Sequence, residues 1–264
     1  MTDTQATEVI VETARPPKRR RTLRLVLWIV IPIVVLVGLF FVADAIVRQV
    51  AQQRISAEVE KSLPAEVKGD VSTSIGGVSV LQQYLSGRFE KVVLDAPALS
   101  VNGSPIHAKV TATGVPADFS KPVQSIDGAL TISQSSLNKL VTVPGVDGDL
   151  ALGKGTISYD GTASLLGLPI GYQVTVSPEA AGKTVNLLPV DAKVTTGAAD
   201  TALDLSTLVK ALTNRGPIPV CVAQYLPDGV LVNDIAISKG MATVTLNAQD
   251  FVVNEKSLKS KGSC

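Results

Sequence analysis

Residues able to do chemistry are few in this chain, and their spacing argues against catalysis. The single histidine, His107, alternates with Lys109 along an extended segment, and it has no second histidine to share a zinc ion with. Asp147 and Asp149 flank Gly148. As an i, i+2 pair they could hold Ca²⁺ weakly, but Asp beside Gly is also what a turn selects for its local hydrogen bonds, and Asp228-Gly229 reads the same way. The sequence contains no Gly-x-Ser-x-Gly elbow, no phosphate-cradling Gly-x-x-x-x-Gly-Lys-Ser/Thr and no Gly-x-Gly-x-x-Gly. A thiol nucleophile at Cys221 working with His107 is conceivable, yet Cys221 has a simpler partner in Cys264. The chain is therefore read as a non-enzyme with no cofactor and no metal. A hydrolase working through Asp or Ser residues is the catalytic alternative.

The elements around these residues begin with an apolar run. Residues 25–43, Leu-Val-Leu-Trp-Ile-Val-Ile-Pro-Ile-Val-Val-Leu-Val-Gly-Leu-Phe-Phe-Val-Ala, carry no charge. As a helix they span about 28 Å, close to the hydrocarbon core of a bilayer. Arg15, Lys18, Arg19, Arg20, Arg21 and Arg24 crowd the N-terminal side, so that side stays in the cytoplasm and the chain after Asp44 emerges outside. The expected organisation is a disordered basic tail over 1–24, a transmembrane signal-anchor over 25–43 and an extracytoplasmic domain over 45–264. A cleaved signal peptide, cut at Ala43-Asp44-Ala45, is the rival; its apolar region would be unusually long. Either way the domain works outside the cytoplasm.

Six of the 24 basic residues and four of the 23 acidic ones lie in the first 44, which leaves 18 and 19 for the domain. That balance gives no electrostatic footprint for nucleic acid. In an oxidising compartment Cys221 and Cys264 are expected to be bridged, with two free thiols as the alternative. The composition is rich in Val, Leu, Ala and Ile and poor in aromatics (4%), which suits strands and equally a smooth apolar lining.

Ala45 to Leu63 reads as a helix continuing from the anchor, with Ile46, Val47, Val50, Ile55 and Val59 recurring near helical spacing and Pro64 ending it. From Val67 to Ile75 the period is two. Val78 to Leu85 is a short apolar helix between Gly77 and Gly87, and Phe89 to Val101 and Ile106 to Thr113 are strands joined by the hairpin signal Asn102-Gly103. The second half holds a weak internal echo. Helix Ser135 to Val141 precedes the strand pair Gly148 to Leu152 and Thr156 to Ala163. Helix Ser206 to Thr213 precedes Ile235 to Ser238 and Met241 to Leu246. Lys154-Gly155 and Lys239-Gly240 hold matching turns, and Leu168 to Val176 and Thr184 to Val194 are further strands. The predicted class is α+β with long antiparallel strands.

Apolar stripes on the short helices are the candidate binding residues: Val80, Leu81, Tyr84 and Leu85; Leu137, Leu140 and Val141; Leu205, Leu208, Val209 and Leu212. Core packing against the sheet is one reading; the other is the lining of a cavity for acyl chains, which needs a dry groove and a few polar groups at its mouth. The helix at Leu81, Tyr84 and Leu85 is expected to act as a lid, its apolar side chains facing inward.

Gly77 to Val101 carries a resemblance. Its Leu85-Ser86-Gly87-Arg88-Phe89 turn between an apolar helix and an alternating strand resembles the LmeA-like phospholipid-binding family of actinobacterial envelope proteins. Gly167-Leu168-Pro169-Ile170-Gly171-Tyr172 and Leu226-Pro227-x-Gly229-Val230, with the Cys before it, fit as well. The similarity runs from about Ala45 to Val253, plus the N-terminal span, although many members carry Phe-Pro near Val78-Ser79 and this chain does not. The resemblance implies a tubular lipid-binding-like fold, in which a curved antiparallel sheet wraps a long helix and holds phospholipid. It also implies a role in maintaining a mycolic-type envelope and its lipoglycans. The expected partners are phospholipid and the plasma membrane. The alternative function is a non-catalytic scaffolding module that presents a sheet edge to envelope enzymes.

Overall fold

The structure, a computed structural model, describes residues 19–62, 67–118, 121–140, 147–165, 168–196 and 216–264. The described residues before Ile46 form one unit and Ile46–Cys264 a second, compact one. Helix α1, Arg19–Ser62, runs through the division and accommodates Pro32. It starts inside the stretch expected to be a disordered tail. Val26–Ala57 is long and apolar enough to cross a membrane by length and composition, and the large apolar side chains from Val26 to Val42 stand exposed.

The described strands of the second unit form two antiparallel sheets, where the sequence led us to expect one. The first contains β1 (Val67–Lys68), β2 (Ser72–Ile75), β3 (Arg88–Val101), β4 (Ser104–Pro116), β5 (Val123–Ser133), β11 (Leu231–Ser238) and β12 (Met241–Phe251), in the order β1-β3-β4-β5-β12-β11 with β2 also on β3. The second has the order β10-β9-β8-β7-β6, built from β6 (Asp147–Leu152), β7 (Ile157–Leu165), β8 (Leu168–Ala181), β9 (Thr184–Thr196) and β10 (Ile218–Cys221). The Asp147–Asp149 stretch, expected as a turn, thus lies in a strand. Asn102 and Gly103 both take positive φ (48° and 79°), as the tight β3–β4 hairpin requires. Pro97 sits where β3 shifts register against β4, a bulge in which its missing N–H costs no ladder bond.

The C-terminal half of α1 packs on the first sheet. Ala51, Ile55 and Val59, four residues apart, lie against clusters made by Ile75, Val80, Phe89, Val92, Val115 and Val123 and by Val71, Ala96 and Leu99. Each of the larger side chains buried there contributes about 1.5–3 kcal/mol. A polar stripe on the same helix fixes its position along β2. Arg48 donates to the carbonyls of Ile75, Gly77 and Val78 at 2.8, 3.1 and 3.3 Å. Ser56 shares a 2.8 Å hydrogen bond with Thr73, and Glu60 accepts from the Val71 N–H.

Helix α2, Val80–Leu85, is started by Ser79, whose hydroxyl accepts from the Gln82 N–H, and stopped at Gly87, which holds φ 78°. Buried Gln83 donates to the carbonyls of Gly76 and Ser79 and accepts from the Glu90 N–H, tying α2 to β3. At the other end of the chain Cys221 and Cys264 are bridged, as expected. The tail before Cys264, with helix α4 (Glu255–Lys259), returns to the 3-10 turn Ala223–Tyr225. There Asp228 N–H donates to Ser260 O, Gly262 N–H to Leu226 O, and Lys261 Nζ to Tyr225 O.

Candidate functional site

Residues directly opposite each other in antiparallel strands point to the same face, so the register alone defines what each face carries. Across the first sheet the rungs read Val92–Ala112–Ile126–Ala248, Leu94–Val110–Gly128–Leu246, Ala96–Ala108–Leu130–Val244–Ile235 and Leu99–Ile106–Ile132–Ala242–Ile237. Every side chain in them is apolar. The intervening rungs, such as Asp95–Lys109–Ala129–Thr245–Asp234, form a largely polar face. The second sheet repeats the pattern. Leu152–Ile157–Val176–Pro189 and Leu150–Tyr159–Val174–Ala192 lie on one face and Asp149–Asp160–Gln173–Lys193 on the other.

The apolar face of the first sheet is unevenly covered. Near β3 it is sealed under α1, and Val92, Ala96 and Leu99 are buried. Toward β5, β12 and β11 the cover is uneven: Ala242, Ala248 and Val232 are buried, Val110, Val244, Leu246, Ile235 and Ile237 are half-buried, and Leu130 is 38% exposed. On the second sheet Ile157, Tyr159, Tyr172, Val174 and Val176 are likewise half-buried. A strand face carrying only hydrocarbon and left half wet is poorly explained by folding alone, because closing it would add stability.

Three local devices hold these faces in place. Gly148 and Gly161 stand opposite each other, and the rings of Tyr159 and Tyr172, 6.2 Å apart, lie over them. A Cβ on Gly161 would fall 2.6 Å from the Tyr172 hydroxyl, and one on Gly148 2.0 Å from the Asp160 carbonyl oxygen. Helix α3, Gln134–Leu140, closes the outer edge of β6. Asn138 donates to Leu150 O and accepts from Leu150 N–H, and Gln134 accepts from Leu152 N–H. These side-chain amides do the work of a neighbouring strand. Finally, the two echoed turns interlock. Gly155 N–H donates to Ile237 O and Gly240 N–H to Leu152 O, joining the sheets, with Gly182 bridged to Val232 nearby.

The residues singled out in the sequence distribute as follows. Leu81 is half-buried, whereas Tyr84 and Leu85 are 59% and 78% exposed; the packed side of α2 is Val80 and Gln83. Leu137 and Leu140 are half-buried on α3. Leu205, Leu208, Val209 and Leu212, like Val141, lie outside the described residues. His107 is on the polar face, with Nε2 2.9 Å from Asp95 Oδ1 and both groups exposed. Asp149 is exposed on the polar face of the second sheet, and the Asp228 side chain is also exposed. Among the described residues no cluster of His, Cys, Asp and Glu could hold a metal ion. A shallow depression of about 440 Å³ is lined by Asp160, Thr162, Gln173 and Lys193 together with Gly161, Gly171 and Tyr172. Sequence reasoning looked to the short helices and did not single out the strand faces. The signal was present as the period-two alternation, but only the pairing register reveals that the alternations line up across five strands.

The described unit is α+β, with two antiparallel sheets that each carry an apolar and a polar face and with a bridged C-terminus. The LmeA-like phospholipid-binding family matches residues 42–247, and the chain belongs to that family. No curated protein and no solved structure was found to match it.

Proposed function

We propose that this protein is a membrane-tethered, extracytoplasmic phospholipid-binding protein. It lays acyl chains along the open apolar faces of its sheets and makes no covalent change in the lipid. The observation that carries this reading is the four all-apolar rungs of the first sheet, half covered toward β5, β12 and β11, in a chain of a phospholipid-binding family. In this reading the sheets curve about the C-terminal half of α1 as in tubular lipid-binding domains, and the half-buried Leu137 and Leu140 of α3 border the groove. Each methylene taken from water contributes about 0.8 kcal/mol. A lipid leaving a bilayer gains little of this, since it exchanges one hydrocarbon environment for another, so such a protein suits holding and handing over lipid. The apolar run acts as a retained anchor with its basic flank in the cytoplasm. The bridged cysteines fit an oxidising space outside, where the protein supports maintenance of envelope lipid or lipoglycan.

Native mass spectrometry of the secreted Ile46–Cys264 unit, followed by lipid extraction, tests the reading. The expected result is a mass increment equal to whole phospholipids, recovered with their ester bonds intact. Recovery of no phospholipid together with no binding to phospholipid vesicles overturns it, and loss of an ester during incubation replaces it with a hydrolase.

A further inference from the structure

The apolar surface of α1 continues beyond residue 43. Ile46, Val47 and Val50 are exposed within the second unit, and Arg48 in their midst holds the carbonyl of Val78. Val78 is 82% exposed, and Tyr84 and Leu85 stand clear on the same short segment. Three bulky apolar side chains on one eight-residue stretch, Val78 to Leu85, are a costly surface in water. Their chemistry is that of an interfacial anchor: aliphatic tips, and a tyrosine whose ring and hydroxyl suit the headgroup level. Arg88 and Lys91 are exposed beside them, with Glu90 the acidic residue among them.

Chain length limits where this segment can be. Arg48 lies five residue steps after Ala43. These steps reach about 18 Å fully extended and about 8 Å as helix, whatever the orientation of the domain. A segment clamped to Arg48 is therefore held within reach of the lipid headgroups if residues 25–43 span a bilayer.

We propose that the α2 segment is a membrane-docking element, with Val78, Tyr84 and Leu85 inserted into the outer headgroup layer of an anionic phospholipid bilayer. The inference rests on the tethered reading above. It replaces the lid role expected for Tyr84 and Leu85: they meet the hydrocarbon of the membrane and not that of a lipid held in the groove. Docking would set one end of the first sheet against the membrane. The β11–β12 turn, at the opposite end of an eleven-residue strand, would then stand about 35 Å away.

The test uses the full chain reconstituted in vesicles of phosphatidylglycerol and phosphatidylcholine. An environment-sensitive fluorophore is placed at Leu85→Cys and, as a control, at Lys239→Cys in the distant turn. Spin-labelled phospholipids mixed into the bilayer should quench the probe at 85 at least several-fold more than the probe at 239. A chain that floats with the vesicles yet shows equal quenching at both sites overturns docking and leaves the tether standing. A chain that does not float overturns the tether and docking together. Quenching at 85 in detergent, with only one spin-labelled lipid bound per protein, restores the lid and overturns docking.

Discussion

At the scale of single residues the chain separates side chains that hold the fold from those that stay available. Leu130 illustrates the second kind. It sits in the middle of an all-apolar rung between Ala108 and Val244, yet is 38% exposed. A charge there would keep part of its hydration in the lipid-free protein but would face hydrocarbon in the loaded one, at a cost of several kcal/mol. Leu130→Asp is expected to fold, with an unchanged circular dichroism spectrum, and to lose co-purifying phospholipid; retained lipid in a folded variant would contradict the groove. Cys264 illustrates the first kind. Its bridge to Cys221, 43 residues away, closes a loop whose entropy corresponds to about 4 kcal/mol, and it secures the tail hydrogen bonds at Leu226 and Asp228. Cys264→Ser should lower the urea midpoint by the equivalent of about 2–4 kcal/mol. The native protein should show no reactive thiol when denatured without reductant.

At the scale of elements, much was legible and the misses have physical causes. The helix at Val80–Leu85, the hairpin at Asn102-Gly103, α3 and the paired strands around Lys154-Gly155 and Lys239-Gly240 follow from caps, positive-φ turn residues and period-two alternation, which are local signals. The orientation of α2 was not legible. Its stripe of Leu81, Tyr84 and Leu85 looks like a packing face, but buried Gln83 satisfies three backbone groups and turns Tyr84 and Leu85 outward. The division into two sheets was not legible either. It depends on β6 pairing with β7 while its other edge is taken by an amide side chain. Asn138→Leu removes both hydrogen bonds to Leu150. Stranding those half-buried backbone groups should cost about 1 kcal/mol, the low end of the range for a lost buried partner. Hydrogen exchange should accelerate at Leu150 and Leu152 and remain unchanged at β3 and β4; uniform acceleration would show that α3 serves the whole domain and not one edge.

At the scale of the whole molecule, the apolar helix and the amphipathic unit make separate demands. The first is long and apolar enough to cross a bilayer, and the second carries apolar strand faces that are only partly covered. If residues 25–43 are a retained anchor, the intact mass of the mature protein includes them, and alkaline carbonate leaves the chain in the membrane pellet. Protease added to intact spheroplasts should then remove the domain and spare the basic N-terminal flank. A mature N-terminus at or after Asp44, with the domain in the soluble fraction, would establish a cleaved signal peptide and leave the lipid-binding reading intact.

Local chemistry along the chain determined the apolar run and its basic flank, the positions of turns and caps, the alternation within each strand, the scarcity of catalytic groups and the plausibility of one disulfide. These depend on neighbours a few residues apart, so they can be read without a fold. Tertiary structure alone decided which alternating strands stand side by side. A one-residue slip in any pairing would move that strand's hydrocarbon to the polar face. It also decided that α1 packs on a cluster reaching from β3 to the start of β5, while Leu130 and its neighbours stay partly wet, and that Arg48 brings the Val78 loop to the helix. Those outcomes join residues tens of positions apart, where packing geometry sets which face is covered.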